Sequence, residues 1–155
     1  MIRRTTTRMA LCVSLLTVNL LFIWGNSLMP GAVSEAFSSW MYRMLSLLLP
    51  GGGGQGHGLL RKLAHFTEFC TLGAVFAWLF AMLLKKQWAI VLPALACGCL
   101  TACADEMLQH FSPGRNPSLL DVGIDSVGVL SGIVLLWMGY NICKKTKNNN
   151  TTGGN

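Results

Sequence analysis

The sequence predicts an all-α protein, a four-helix transmembrane bundle with an outer interfacial amphipathic helix. Three observations predict it. Hydrophobic residues fill 52% of the 155 positions and charged residues only 12%, about half the charged share of a soluble domain. Four apolar runs are each long enough to cross ~30 Å of hydrocarbon at ~1.5 Å per residue. Finally, the Lys and Arg that make the formal net charge +6 come in twos and threes between these runs. They build no continuous basic face, which argues against a nucleic-acid partner.

Residues 1–9 carry Arg3, Arg4 and Arg8 and precede the first span, residues 10–28. That pattern resembles a secretory signal, but no small-x-small cleavage site follows, so an uncleaved signal anchor is expected. The segment from Asn26 to Leu59 contains an amphipathic helix over residues 34–49. Its Phe37, Trp40, Met41, Met44, Leu45 and Leu48 recur at spacings of three and four, the pattern of a helix lying in the headgroup plane. After Pro50, the Gly-rich run 51–58 has almost no side chains to pack and reads as a tether. The remaining spans cover residues 63–84, 88–110 and 120–143, and residues 144–155 read as a disordered tail whose sequons at Asn149 and Asn150 carry no meaning inside the cell. The six cysteines fall within or at the ends of the spans, where free Cys packs as a small hydrophobe rather than as part of a disulfide framework.

Topology follows from the basic residues in short loops. Arg3, Arg4, Arg8, Lys85, Lys86, Lys144, Lys145 and Lys147 fall on one side of a four-span chain, against Arg43, Arg61, Lys62 and Arg115 on the other. A multi-pass protein of a bacterial-type cell membrane is expected, with residues 1–9 and the tail cytoplasmic.

Charged residues within spans are costly and mark function by default. Span two opens with Arg61, Lys62, His65 and Glu68, span three ends with Asp105, Glu106, Gln109 and His110, and span four opens with Asp121 and Asp125. Glu68, Asp105 and Asp125 each lie five residues in from the outer end of a span, so antiparallel packing brings them to one level, roughly 8 Å deep at helical rise. The loop between spans three and four, with Pro113-Gly114 for a tight turn, would hold Arg115 above them, where a guanidinium can bridge two carboxylates. Gly128 and Gly132 share a stripe that lets a neighbouring helix pack closely below.

Three readings of this cluster stay open. One is an outward-facing pocket that binds or acts on a polar headgroup of a cell-envelope lipid or wall precursor, with His65, Glu68, Asp105 and Glu106 as the reactive centre. Arg61, Lys62, Gln109, His110, Arg115, Asp121 and Asp125 would then hold the ligand. The second is a non-enzymatic structural network that only locks the bundle. The third is a small proton or ion transporter, weakened because no acidic residue continues the line toward the cytoplasmic half. A metal set could be drawn from His65, Glu68, Asp105 and Asp125, but three neighbouring cations compete with it and no metal is assigned. Beyond the bilayer and the headgroup, no partner or cofactor is indicated.

Together, Arg61-Lys62-Leu63-Ala64-His65-Phe66 with Glu68 and Gly73, then Asp105-Glu106 with Gln109, Pro113-Gly114-Arg115, Asp121-Val122 and Gly128, resemble the VanZ-like membrane proteins over about residues 27–132. In that family the last motif usually continues as Asp-x-x-x-Asn before a Gly, whereas this sequence has Asp125 at the Asn position. The resemblance implies a small multi-helix membrane protein linked to teicoplanin-type glycopeptide resistance, and it names no cofactor.

Overall fold

In the computed structural model of the protein, residues 2–46 and 56–152 are described, with side chains described for 5–44, 58–86 and 88–146. Five helices follow one another in these residues: α1 (Ile2–Ser27), α2 (Gly31–Ser46), α3 (Gly56–Leu83), α4 (Gln87–His110) and α5 (Leu119–Thr152). Four contain stretches long and apolar enough to cross a membrane, at Thr5–Ser27, Gly58–Leu83, Trp88–His110 and Leu119–Thr146. The fold class expected from the sequence therefore holds.

Helix lengths depart from the apolar runs at three places, the first at α1, which starts at Ile2, ahead of the run at 10–28. α3 starts at Gly56, inside the run expected to be a tether, and residues 51–55 lie outside the described residues. α5 continues to Thr152, through most of the tail expected to be disordered. The extensions of α1 and α5 have one cause. An apolar run marks only the portion of a helix that lipid or core must cover, whereas an established helix gains one hydrogen bond per added residue until Gly or Pro stops it. None intervenes between Tyr140 and Gly153.

α3 and α5 share the most extensive interface, with α4 packed on both and α1 closing the side against α3. The core is apolar and modest in size: Ile23 of α1, Phe69, Leu72 and Phe76 of α3, Ala94 and Ala102 of α4, and Val129 and Ile133 of α5. Small residues let α3 and α5 approach. A β-carbon on Gly132 would run into the Cys70 carbonyl, and one on Gly128 would lie 2.7 Å from the Phe66 carbonyl oxygen. The small-residue stripe read from span four is thus the seam against α3.

α2 presents Phe37, Trp40, Met41 and Met44 as an exposed face, with the Phe37 and Trp40 rings 6.1 Å apart. Gly31 and Ser34 form its buried side. Of the amphipathic helix expected over 34–49, residues 47–49 lie outside the described residues. The alternating helix directions gather the ends of α1 and α4 and the starts of α3 and α5 at one end of the bundle. Arg8, Lys85, Lys86, Lys144 and Lys145 belong to the opposite end, where Lys86 Nζ sits 5.9 Å above the Trp88 ring.

Candidate functional site

The gathered end holds the polar residues. From α3 come Arg61, Lys62, His65 and Glu68, spaced by helical turns along one side. α4 contributes Asp105, Glu106 and Gln109, and α5 contributes Asp121 and Asp125. His65, Asp105, Glu106, Gln109 and Asp125 are buried. One ligand atom each from His65, Asp105 and Asp125 lie within 4.8 Å of one another. The three spans converge, but His65 takes the place between Asp105 and Asp125 that depth alone gave to Glu68, whose Oε2 stands 3.9 Å from His65 Nδ1.

A fourth helix joins, which the sequence reading did not foresee. The α1 end supplies Ser27 Oγ, which donates to Asp105 Oδ1 at 2.6 Å, and Asn26 Nδ2, which donates to Glu68 Oε1 at 3.2 Å. Gln109 Nε2 donates to Asp105 Oδ2 at 3.0 Å, one helical turn away. Asp105 is completely buried and has both oxygens satisfied, which removes most of the penalty for desolvating a carboxylate. Glu106 serves the start of α5: its Oε2 accepts from the Ser118 amide at 2.9 Å, and Ser118 Oγ in turn accepts from the Leu120 amide. An acidic group at a helix N-terminus is favoured by the helix dipole as well as by the hydrogen bond.

The loop 111–118 is a structural clamp. Gly114 has φ 76° behind Pro113, and the Arg115 amide donates to the Ser112 carbonyl at 3.2 Å, closing the predicted tight turn with glycine where a positive φ is required. Ser112 Oγ donates to the Ser27 carbonyl at 2.9 Å, and the Gly31 amide donates to the Pro113 carbonyl at 2.9 Å. Arg115 does not bridge carboxylates as expected from the sequence. Its Nη2 donates to the Asn26 carbonyl at 2.7 Å and its Nε to the Met29 carbonyl at 3.3 Å. The last carbonyls of a helix have no partner within it, and here a buried guanidinium takes up that of Asn26 near the α1 C-terminus together with that of Met29 just beyond it. Burial, and after it the Arg61 guanidinium, push Arg115 below its ordinary pKa against the pull of Asp105, Glu106 and Glu68, though a guanidinium stays charged.

His110 is the residue that does not join. It is exposed, with its ring turned edge-on to Phe111 at 6.0 Å, and it does not line the cavity. Glu106 lies one turn before it, but α4 ends at His110 and Glu106 reaches sideways to Ser118.

A cavity of about 260 Å³ opens among Arg61, Lys62, His65, Glu106, Asp121 and Asp125. Lys62 Nζ pairs with Asp121 Oδ1 at 3.4 Å at its rim, whereas Arg61 has no ion-pair partner among the described residues. Several atoms of the buried groups lack a protein partner: His65 Nδ1, Glu68 Oε2, Glu106 Oε1 and Arg115 Nη1. Each buried polar atom without a partner costs about 1–3 kcal/mol. Four at one cluster are more than packing alone requires, and they offer donors and acceptors of both signs to a ligand.

A family model for VanZ/LLP1 matches residues 5–142. The chain belongs to this family. No curated protein and no solved structure matches it. The match takes in α1 as well as the three helices that carry the charged motifs, in keeping with the hydrogen bonds from Asn26 and Ser27. Only one sequence signal pointed to those two residues: they are the polar break that ends the first apolar run.

Proposed function

We propose that this VanZ-family membrane protein binds a polar headgroup of a cell-envelope lipid or wall precursor at the gathered end of the bundle. One observation carries the reading, a polar cavity whose lining includes the unpaired Arg61 and the partnerless atoms of His65, Glu106 and Arg115. Arg61 and Lys62 anchor the acidic parts of the headgroup, and Glu106, Asp121 and Asp125 accept from its donors. Arg115 fixes the roof rather than touching charge. The placement of the basic residues at the other end supports an outward-facing cavity by the positive-inside rule. Such a site fits a protein that alters what glycopeptides meet at the cell surface.

A purely structural lock would leave the carboxylates saturated by Arg and Lys with no cavity. Here Lys62 pairs with Asp121, and Asp105, Glu106 and Asp125 make no ion pair with Arg or Lys among the described residues. A transporter would need a wet path onward, and Phe69, Leu72, Ala102 and Val129 fill the space below the cluster.

The test is teicoplanin susceptibility together with lipid and wall-precursor profiles of a host expressing the protein. Arg61→Gln and Glu106→Gln should abolish the phenotype at normal membrane levels, and His110→Ala should keep it. If both cavity variants accumulate normally and retain full phenotype, the reading is wrong.

A further inference from the structure

We propose that His65, Asp105 and Asp125 hold a divalent metal ion. All three are at least nine-tenths buried, and one donor atom from each lies within 4.8 Å of the others. A nitrogen and two oxygens around a first-row divalent ion sit about 2.0–2.2 Å from it. Two atoms at that distance from one ion stand at most about 4.4 Å apart, so the three side chains would draw together slightly on loading.

Competition from neighbouring cations was the reason to assign no metal from the sequence, and the geometry removes it. Lys62 pairs with Asp121 at the rim, Arg115 is spent on the Asn26 and Met29 carbonyls, and Arg61 makes no ion pair. None reaches Asp105 or Asp125. Asp105 is oriented by Ser27 and Gln109, while Asp125 takes part in none of the described hydrogen bonds and turns toward the cavity. Five carboxylates, Glu68, Asp105, Glu106, Asp121 and Asp125, face three cations, Arg61, Lys62 and Arg115, with a formal balance of −2. One divalent ion cancels that balance at the point where two carboxylates meet an imidazole.

Independent support comes from His65 itself, whose Nδ1 has no hydrogen-bond partner and whose neighbour Glu68 Oε2, also partnerless, lies 3.9 Å away. A carboxylate beside a ligating histidine commonly fixes the ring. The imidazole favours zinc over magnesium or calcium, which prefer oxygen donors, and the two carboxylates leave manganese as the weaker alternative. Three protein ligands leave a coordination position open toward the cavity, where an oxygen of a headgroup could bind. That last step rests on the headgroup reading; metal binding itself does not.

The full-length protein, purified in detergent without a histidine tag and stripped with a chelator, is titrated with zinc and with manganese. Bound metal is counted by mass spectrometry and heat is followed by calorimetry. One equivalent of zinc or manganese per chain is expected, with a rise in melting temperature on loading. Asp125→Asn, nearly the same shape, should melt cooperatively without metal yet bind at least about tenfold more weakly, since even partners that only orient a ligand contribute that much. His65→Ala should do the same, and Glu35→Gln, on the exposed side of α2, should bind like the wild type. Sub-stoichiometric metal in the wild type, or equal affinity in wild type and Asp125→Asn, overturns the proposal. Because the titration contains no envelope lipid, it can fail while the host phenotype survives, or succeed while that phenotype is lost.

Discussion

Replacing Gly132 and Gly139 by alanine, one at a time, should move the stability of α5 in opposite directions. Both positions are helical, so alanine gains roughly 0.5–1 kcal/mol over glycine in backbone terms at each. At Gly139 a β-carbon meets nothing within 4 Å, and that gain stands alone. At Gly132 the β-carbon falls on the Cys70 carbonyl oxygen, with the Ala74 amide nitrogen only 2.9 Å away. These are backbone atoms of α3 and cannot swing aside as a side chain would, so the two helices must part along their main interface. Overpacking of this kind costs about 1–3 kcal/mol. The backbone gain is common to both, so the two variants should differ by the overpacking cost of about 1–3 kcal/mol, which at about 2–4 °C per kcal/mol separates their melting temperatures by at least about 2 °C. Thermal unfolding of both proteins in one detergent, followed by circular dichroism, measures the split. A Gly132→Ala protein that melts at or above wild type would refute the close α3–α5 seam.

Three further outcomes follow from the hydrogen bonds. Arg115→Lys should lower the melting temperature and expose the 111–118 loop to protease, because one ammonium cannot span both the Asn26 and Met29 carbonyls and charged hydrogen bonds contribute about 1.5–3 kcal/mol each. Ser27→Ala leaves Asp105 Oδ1 without its donor and should cost about 1–3 kcal/mol; a double-mutant cycle with Asp105→Asn should show coupling of at least about 0.5 kcal/mol. Lys62→Gln should leave stability within about 1 kcal/mol of wild type, since its pair with Asp121 is partly exposed at 46% and 34%, while weakening the host phenotype.

The spans were legible because lipid demands an unbroken apolar run, and the gathering of α3, α4 and α5 carboxylates at one level was legible because helical rise converts residue counts into depth, whereas the place of His65 rather than Glu68 between Asp105 and Asp125 depends on side-chain packing. Arg115 was misread for a different reason. Its partners are main-chain carbonyls at the α1 end, and no residue letter announces an unfilled carbonyl. Asn26 and Ser27 were missed as site residues because the register of α1 against α3 and α4 is set by how Ile23 packs into the core they share, which the α1 sequence does not itself announce. His110 shows the limit of stripe arguments near a helix end, where the next turn has already left the bundle.

The apolar floor formed by Phe69, Leu72, Ala102 and Val129 has an electrical consequence. A transmembrane voltage falls mainly across the low-dielectric part of its path, and here that part lies beneath the cluster. Moving one charge through the full field is worth about 2.3 kcal/mol per 100 mV. A charged ligand or ion that enters from the open end crosses little of that field, so its occupancy should stay constant as the cell energises or depolarises its membrane.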